Sequence, residues 1–138
     1  MISTLLLLLH TGSSIASEEQ IYIVVKQQNS TESMTSSQVI DLFMGRYNAF
    51  PSGEPAITVE LKGDYTLKAA FYKQLVGMSL SRINSYWSRL RFSGRKRGSV
   101  QFQSKAEMVD YVTQDASAIA YVNASDLRDN MKVVYVVE

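Results

Sequence analysis

A chain of 138 residues without cysteine and with a formal net charge of +1 excludes several classes of protein at the outset. The length suits one domain with room for a core, and 46% apolar against 20% charged residues is the balance of a folded chain. The lack of cysteine removes disulfides, thiolate metal sites, iron–sulfur clusters and thiol nucleophiles, and the near-neutral charge gives no general attraction to nucleic acid or acidic membranes.

The first segment, Ile2 to Leu9, is apolar and contains the run Leu5 to Leu9, followed by Ser13-Ser14-Ile15-Ala16. A short apolar core followed by small residues predicts a secretory signal peptide over residues 1–16, cut after Ala16. No Lys or Arg precedes the leucines, so the alternatives are a true start further upstream or a buried first strand or helix of a cytosolic domain. The sharp polar switch at Ser17-Glu18-Glu19 favours the leader. The run is shorter than the roughly 20 residues that span a bilayer, so no integral membrane segment is expected after cleavage. The mature domain, residues 17–138, is then periplasmic or otherwise secreted. It has no histidine, because His10, the one histidine of the chain, lies in the leader.

Ile21 to Val25 is β-branched and aromatic and reads as a buried strand, and Lys26 to Thr35 as a polar loop. Ser36 or Ser37 is placed to cap a helix carrying Val39, Leu42 and Phe43, ended by Gly45. A loop holding both prolines leads to a strand at Ile57 to Leu61. After Lys62-Gly63-Asp64 comes a helix with Leu67, Ala70, Phe71 and Leu75 at helical spacing. Beyond Gly77 a second helix aligns Leu80, Ile83, Trp87 and Leu90. Val100 to Phe102 is a short strand, and Ser104 with Glu107 marks a capped helix bearing Met108, Val109 and Val112. Ile119 to Val122 and Lys132 to Val137 are the last strands, with a turn or short helix from Asn123 to Arg128. The alternation predicts one α/β domain, a central mixed sheet flanked by helices.

Several segments in this order resemble the phosphate-type (type II) extracytoplasmic solute-binding proteins, the substrate receptors of phosphate importers. They are Ser36 to Arg46 with the turn Phe50-Pro51-Ser52-Gly53, then Phe71-Tyr72, then Ala116 to Val122, which is similar to the family's Gly-Ala-Ile-Gly-Tyr-Val strand. The resemblance covers residues 20–138 and implies a single lobe of that fold, where full-length members have two. In the retained lobe the family holds its oxyanion on a Gly-Ser-Gly-Thr-like turn at a helix N-terminus. Here that stretch runs from Glu60 to Thr66, keeps one glycine and one hydroxyl, and carries Asp64 where the anion would sit.

Two segments are therefore candidate ligand sites. In the first, Lys62, Gly63, Asp64, Tyr65 and Thr66 are either an altered oxyanion site or an ordinary connection with Asp64 as helix cap. In the second, Ser93, Gly94 and Arg95 sit in the densest charge of the chain, Arg89 to Arg97. There, exposed amides and guanidinium groups would suit an anion, an acidic partner or simply solvent. One basic loop is not the broad face that nucleic acid needs. Tyr47, Phe50, Tyr86 and Trp87 read as packing. Asn29-Ser30-Thr31 and Asn123-Ala124-Ser125 fit the glycosylation pattern.

Catalysis has little support: there is no Walker loop, no Gly-x-Ser-x-Gly and no histidine to activate a hydroxyl in the mature domain. The expected function is non-catalytic, cofactor-free and metal-free binding of phosphate or a similar oxyanion, with a second lobe or protein partner to complete the site. The alternative is a ligand-free envelope interaction or regulatory module built on the same lobe.

Overall fold

The computed structural model describes residues 20–94 and 98–138. The expected leader over residues 1–16 and Arg95 of the basic segment lie outside the described residues.

Among the described residues, five strands and four helices follow in the order β1 (Ile21–Lys26), α1 (Ser36–Phe43), β2 (Ile57–Leu61), α2 (Tyr65–Val76), α3 (Leu80–Phe92), β3 (Val100–Phe102), α4 (Lys105–Gln114), β4 (Ala118–Asn123) and β5 (Met131–Val137). A 3-10 turn, Ala124–Asp126, follows β4. The strands form one mixed sheet in the order β3-β2-β4-β1-β5. Strand β2 is parallel to β3 and β4, and β1 is antiparallel to β4 and β5.

Side chains alternate across a strand, and this sorts the core into two layers. Ile21, Ile23, Val25, Ile119 and Tyr121 face α1, α2 and α3, where they meet Val39, Phe43, Phe71, Ile83 and Trp87. Val24, Val59, Ala118, Ala120 and Val122 face α4, against Met108, Val109 and Val112. Full burial of each valine, isoleucine, methionine or phenylalanine among them contributes about 1.5–3 kcal/mol. On the first face the Phe71 ring stacks on Tyr121 at 4.0 Å, and Phe43 meets Phe71 edge-on at 5.0 Å.

The helix ends explain the boundaries. Helix α1 is capped by Thr35, not by Ser36 or Ser37 as expected: the Thr35 hydroxyl accepts from the Gln38 amide, and the Gln38 side chain accepts from the Thr35 amide. This reciprocal box needs a Gln or Glu three residues on, and only Thr35 has Gln38 at that distance. Gly45 ends the helix with φ +68°, and a Cβ there would stand 2.7 Å from the Trp87 ring. Both backbone and space therefore require glycine. Gly77 closes α2 in the left-handed conformation, while Ser79 and Ser104 cap α3 and α4.

Strand directions bring one end of each element together. Because β1 runs against β4 and β5, Ile21 lies opposite Asn123 and Val137, and Leu61 pairs with Phe102. The carboxyl ends of β2, β3, β4 and β5 thus share an edge with the start of β1. Such an edge is where open α/β sheets place ligands. No helix among the described residues is long and apolar enough to cross a membrane.

Candidate functional site

The turn between β2 and α2 sits on this edge and separates two clefts. Gly63 makes the turn with φ +91°, and the Lys62 amide is fixed by the Phe102 carbonyl at 2.8 Å. Asp64 then caps α2, its carboxylate accepting from the Leu67 amide at 3.4 Å.

The residues of the turn are shared between two clefts. Asp64 and Thr66 line a cleft of about 330 Å³ whose walls are Ile21, Leu67 and Ala70, with Gln74 and Asn123 as further polar groups. Lys62, Gly63 and Tyr65 line a second cleft of about 340 Å³, together with Lys68, Arg91, Asn84, Trp87 and Gln101. The structure therefore divides the five predicted turn residues between two surroundings. The first holds a carboxylate and apolar walls, and the second holds three cationic side chains.

The second cleft has a buried acidic floor that the sequence reading did not single out. Glu60 is 4% exposed; Tyr72 donates its hydroxyl to Glu60 Oε1 at 2.7 Å, and Lys68 Nζ lies 3.7 Å from Oε2. Burial, reinforced by the Glu60 charge, pushes the Tyr72 and Tyr121 phenols far above the usual tyrosine range. The signal was available in Ile57-Thr58-Val59-Glu60-Leu61: a lone carboxylate in a strand with Val59 buried at 0% beside it must find partners when its face is covered. Thr58, two residues earlier, likewise pairs with Ser99 at 2.7 Å.

The Ser93–Gly94 segment is arranged differently from the expectation of free amides. It is the end of α3, where the Ser93 amide donates to the Arg89 carbonyl and the Gly94 amide to the Arg91 carbonyl, both at 3.1 Å. The Ser93 hydroxyl donates to the Leu90 carbonyl at 2.9 Å. A helix C-terminus carries partial negative charge, which Arg89 and Arg91 in the last turn complement. Of this segment, Arg91 joins Lys62 at the second cleft.

Phe50 and Trp87 are buried in the core, whereas Tyr47 is exposed. Tyr86 donates to the Met44 carbonyl at 2.7 Å. Asn29 is buried, its amide donating to the Ala116 carbonyl at 2.7 Å and accepting from the Thr31 amide at 2.8 Å. The folded state thereby withholds Asn29 from a glycosylating enzyme. Among the described residues, no group of three or more His, Cys, Asp or Glu side chains is placed to hold a metal ion.

No family model matches the sequence, and no curated protein does. Solved structures match the fold. A structure described as a phosphate ABC transporter substrate-binding protein with bound phosphate, from Clostridium perfringens, aligns with a TM-score of 0.66 at 16% identity over 84% of this chain and 44% of its own. An ABC-type phosphate transport receptor from Vibrio cholerae aligns with a TM-score of 0.64 at 13% identity, over 84% of this chain and 45% of its own. The chain thus spans less than half the length of either protein. What it shares with them is architecture, and its five-stranded mixed sheet with four helices is the fold of a single lobe of a phosphate-binding protein.

Proposed function

We propose that the chain is a non-catalytic binding lobe for a small oxyanion of the phosphate kind, acting outside the cytoplasm, and that the anion sits in the second cleft. The carrying observation is that Lys62, Lys68 and Arg91 line one cleft beside the Gly63 turn, where they outnumber the Glu60 carboxylate, which takes up the charge of Lys68. Guanidinium and ammonium groups in a partly enclosed cleft attract an oxyanion more strongly than they do in open water. The fold likeness to phosphate receptors supports the same ligand class, and the signal-like segment over residues 1–16 supports export. Glu60 and Tyr72 at the floor are tied to each other at 2.7 Å, an arrangement suited to holding a wall and not to proton transfer on a substrate. On this reading Thr66 and Asp64 belong to the other side of the turn. Ser93 and Gly94 hold the end of α3 through amides already paired.

A second reading, a surface for a protein partner or a second lobe, is favoured by the aromatic rings near the cleft. Tyr65 on its lining is 63% exposed, and Phe92, next in sequence to Arg91, is 97% exposed. A partner covering both rings would also wall the anion from water.

Thermal melting at low salt separates the two. A ligand that binds only the folded state stabilises it by about 2.7 kcal/mol at a concentration of 100 times Kd. We expect phosphate to raise the melting temperature, Lys62→Ala to abolish the rise and Thr66→Ala to retain it. No rise with millimolar phosphate or sulfate would sink the oxyanion reading and leave the partner surface.

A further inference from the structure

The second cleft is too large for the ion alone. A tetrahedral oxyanion displaces about two water volumes, roughly 60 Å³ at ~30 Å³ per water, whereas the cleft holds about 340 Å³. That volume falls in the range of pockets that enclose a small organic molecule, ~300–1,000 Å³. The lining also extends along α3 from Asn84 to Arg91. Seven residues of helix at 1.5 Å each make a wall of roughly 10 Å.

The chemistry of the lining changes along with its size. Beside Lys62, Arg91 and the Lys68–Glu60 pair it presents the amides of Asn84 and Gln101 and the aromatic ring of Tyr65. An amide both donates and accepts, which suits a hydroxyl group and offers no charge to a second phosphate. Tyr65 turns an exposed ring toward the opening, and an aromatic face is a natural support for a sugar or a base. An inorganic ion would leave all three unused.

We infer that the second cleft takes an organic phosphate, a phosphate monoester of a sugar or nucleoside. The phosphate lies among the three cations and the hydroxylated body lies along Asn84, Gln101 and Tyr65. The inference rests on the oxyanion reading above and goes beyond it in the class of ligand.

The chain holds one tryptophan, Trp87, and that residue lines the cleft, so its emission reports occupancy directly. We would titrate the full chain with inorganic phosphate, ribose 5-phosphate and adenosine 5′-monophosphate, with ribose and adenosine as phosphate-free controls. At least one ester should bind tenfold or more tightly than inorganic phosphate and than its own phosphate-free body. Lys62→Ala should weaken ester and ion together. Tyr65→Ala, at an exposed position, should bring the ester-to-phosphate affinity ratio toward one. A stronger effect of Tyr65→Ala on the nucleotide than on ribose 5-phosphate would place the base on the ring, and equal effects would place the sugar there. Inorganic phosphate binding as tightly as both esters would overturn the inference while leaving the oxyanion reading intact. Ribose or adenosine binding as tightly as its ester would also overturn it. Silence toward every phosphate would remove the oxyanion reading and this inference together.

Discussion

The two clefts share one turn and nearly one volume, about 330 and 340 Å³, yet they have opposite chemical character. In the first, Asp64 already fills the place at the α2 N-terminus that an anion would take, and Ile21, Leu67 and Ala70 supply apolar walls. In the second, three cations share the lining with a carboxylate whose partners, Tyr72 and Lys68, are fixed. The turn from β2 to α2 sends Lys62, Gly63 and Tyr65 to one side and Asp64 and Thr66 to the other. Five residues contiguous in sequence therefore do not make one site. The side of the turn decides which of them can act together.

The sharpest way to test this contrast is to remove the floor of the second cleft. Glu60 is buried against Tyr72 and Lys68, and taking away one member of a buried pair leaves the other uncompensated, at a cost of about 3–5 kcal/mol. Glu60→Ala should lose that much in urea unfolding. Glu60→Leu combined with Lys68→Met and Tyr72→Phe should recover most of it, since apolar replacement of all three groups removes the desolvation cost and leaves no hydroxyl without its acceptor. Thr66→Ala, on the other side of the turn, should stay within about 0.5 kcal/mol. A loss below 1 kcal/mol for Glu60→Ala would mean the floor is not coupled, and the contrast would collapse.

Alkaline pH probes the same floor without a substitution. Burial first, and the Glu60 charge after it, raise the Tyr72 and Tyr121 phenols above their unfolded value of about 10. A group raised on folding contributes its full stability below the unfolded pKa and loses it as pH rises toward the folded one. Each of the two tyrosines should thus remove about 1.4 kcal/mol per pH unit above 10, because only the unfolded chain can ionise there. Urea unfolding between pH 9 and 11 measures the slope, and Tyr121→Phe should make it shallower. A slope unchanged by that substitution would show that Tyr121 is not held neutral.

Much of the architecture could be read from the residues because it rests on local rules. The runs Ile21–Val25, Ile57–Leu61 and Ile119–Val122 form strands, Gly45 and Gly77 end helices, and Ser104 caps α4. The pairing was less accessible. That β1 lies between β4 and β5 depends on pairings such as Ile21 with Asn123 and with Val137, far apart in sequence, which no local pattern records. Thr35 took the cap from Ser36 because a second bond from Gln38 decided between hydroxyls of similar quality. The turn at Lys62 to Thr66 was visible as a candidate, but its division into two sides is a property of the backbone path. Lys68 and Arg91 could not be assigned to it, since they come from separate helices. The pairing of the Ser93 and Gly94 amides is not legible because α3 runs past Leu90, the last residue of its apolar stripe, to an exposed Phe92, where periodicity gives no signal.

The smallest expected effect tests which side of the turn holds the anion. Asparagine caps a helix about as well as aspartate, so Asp64→Asn should leave stability within about 0.5 kcal/mol, while Asp64→Ala should cost about 1 kcal/mol. The informative readout is phosphate affinity in the Asn variant. If the anion sits among Lys62, Lys68 and Arg91, the lost carboxylate faces the other cleft. Screened by water on the far side of the turn, its charge then changes affinity by only about twofold. If the anion instead seeks the α2 N-terminus, Asp64 is its direct competitor for the Leu67 amide. Removing that charge should then tighten binding tenfold or more. A gain of that size in Asp64→Asn, lost again on adding Thr66→Ala, would move the site to the first cleft and reverse the roles assigned to the two sides of Gly63.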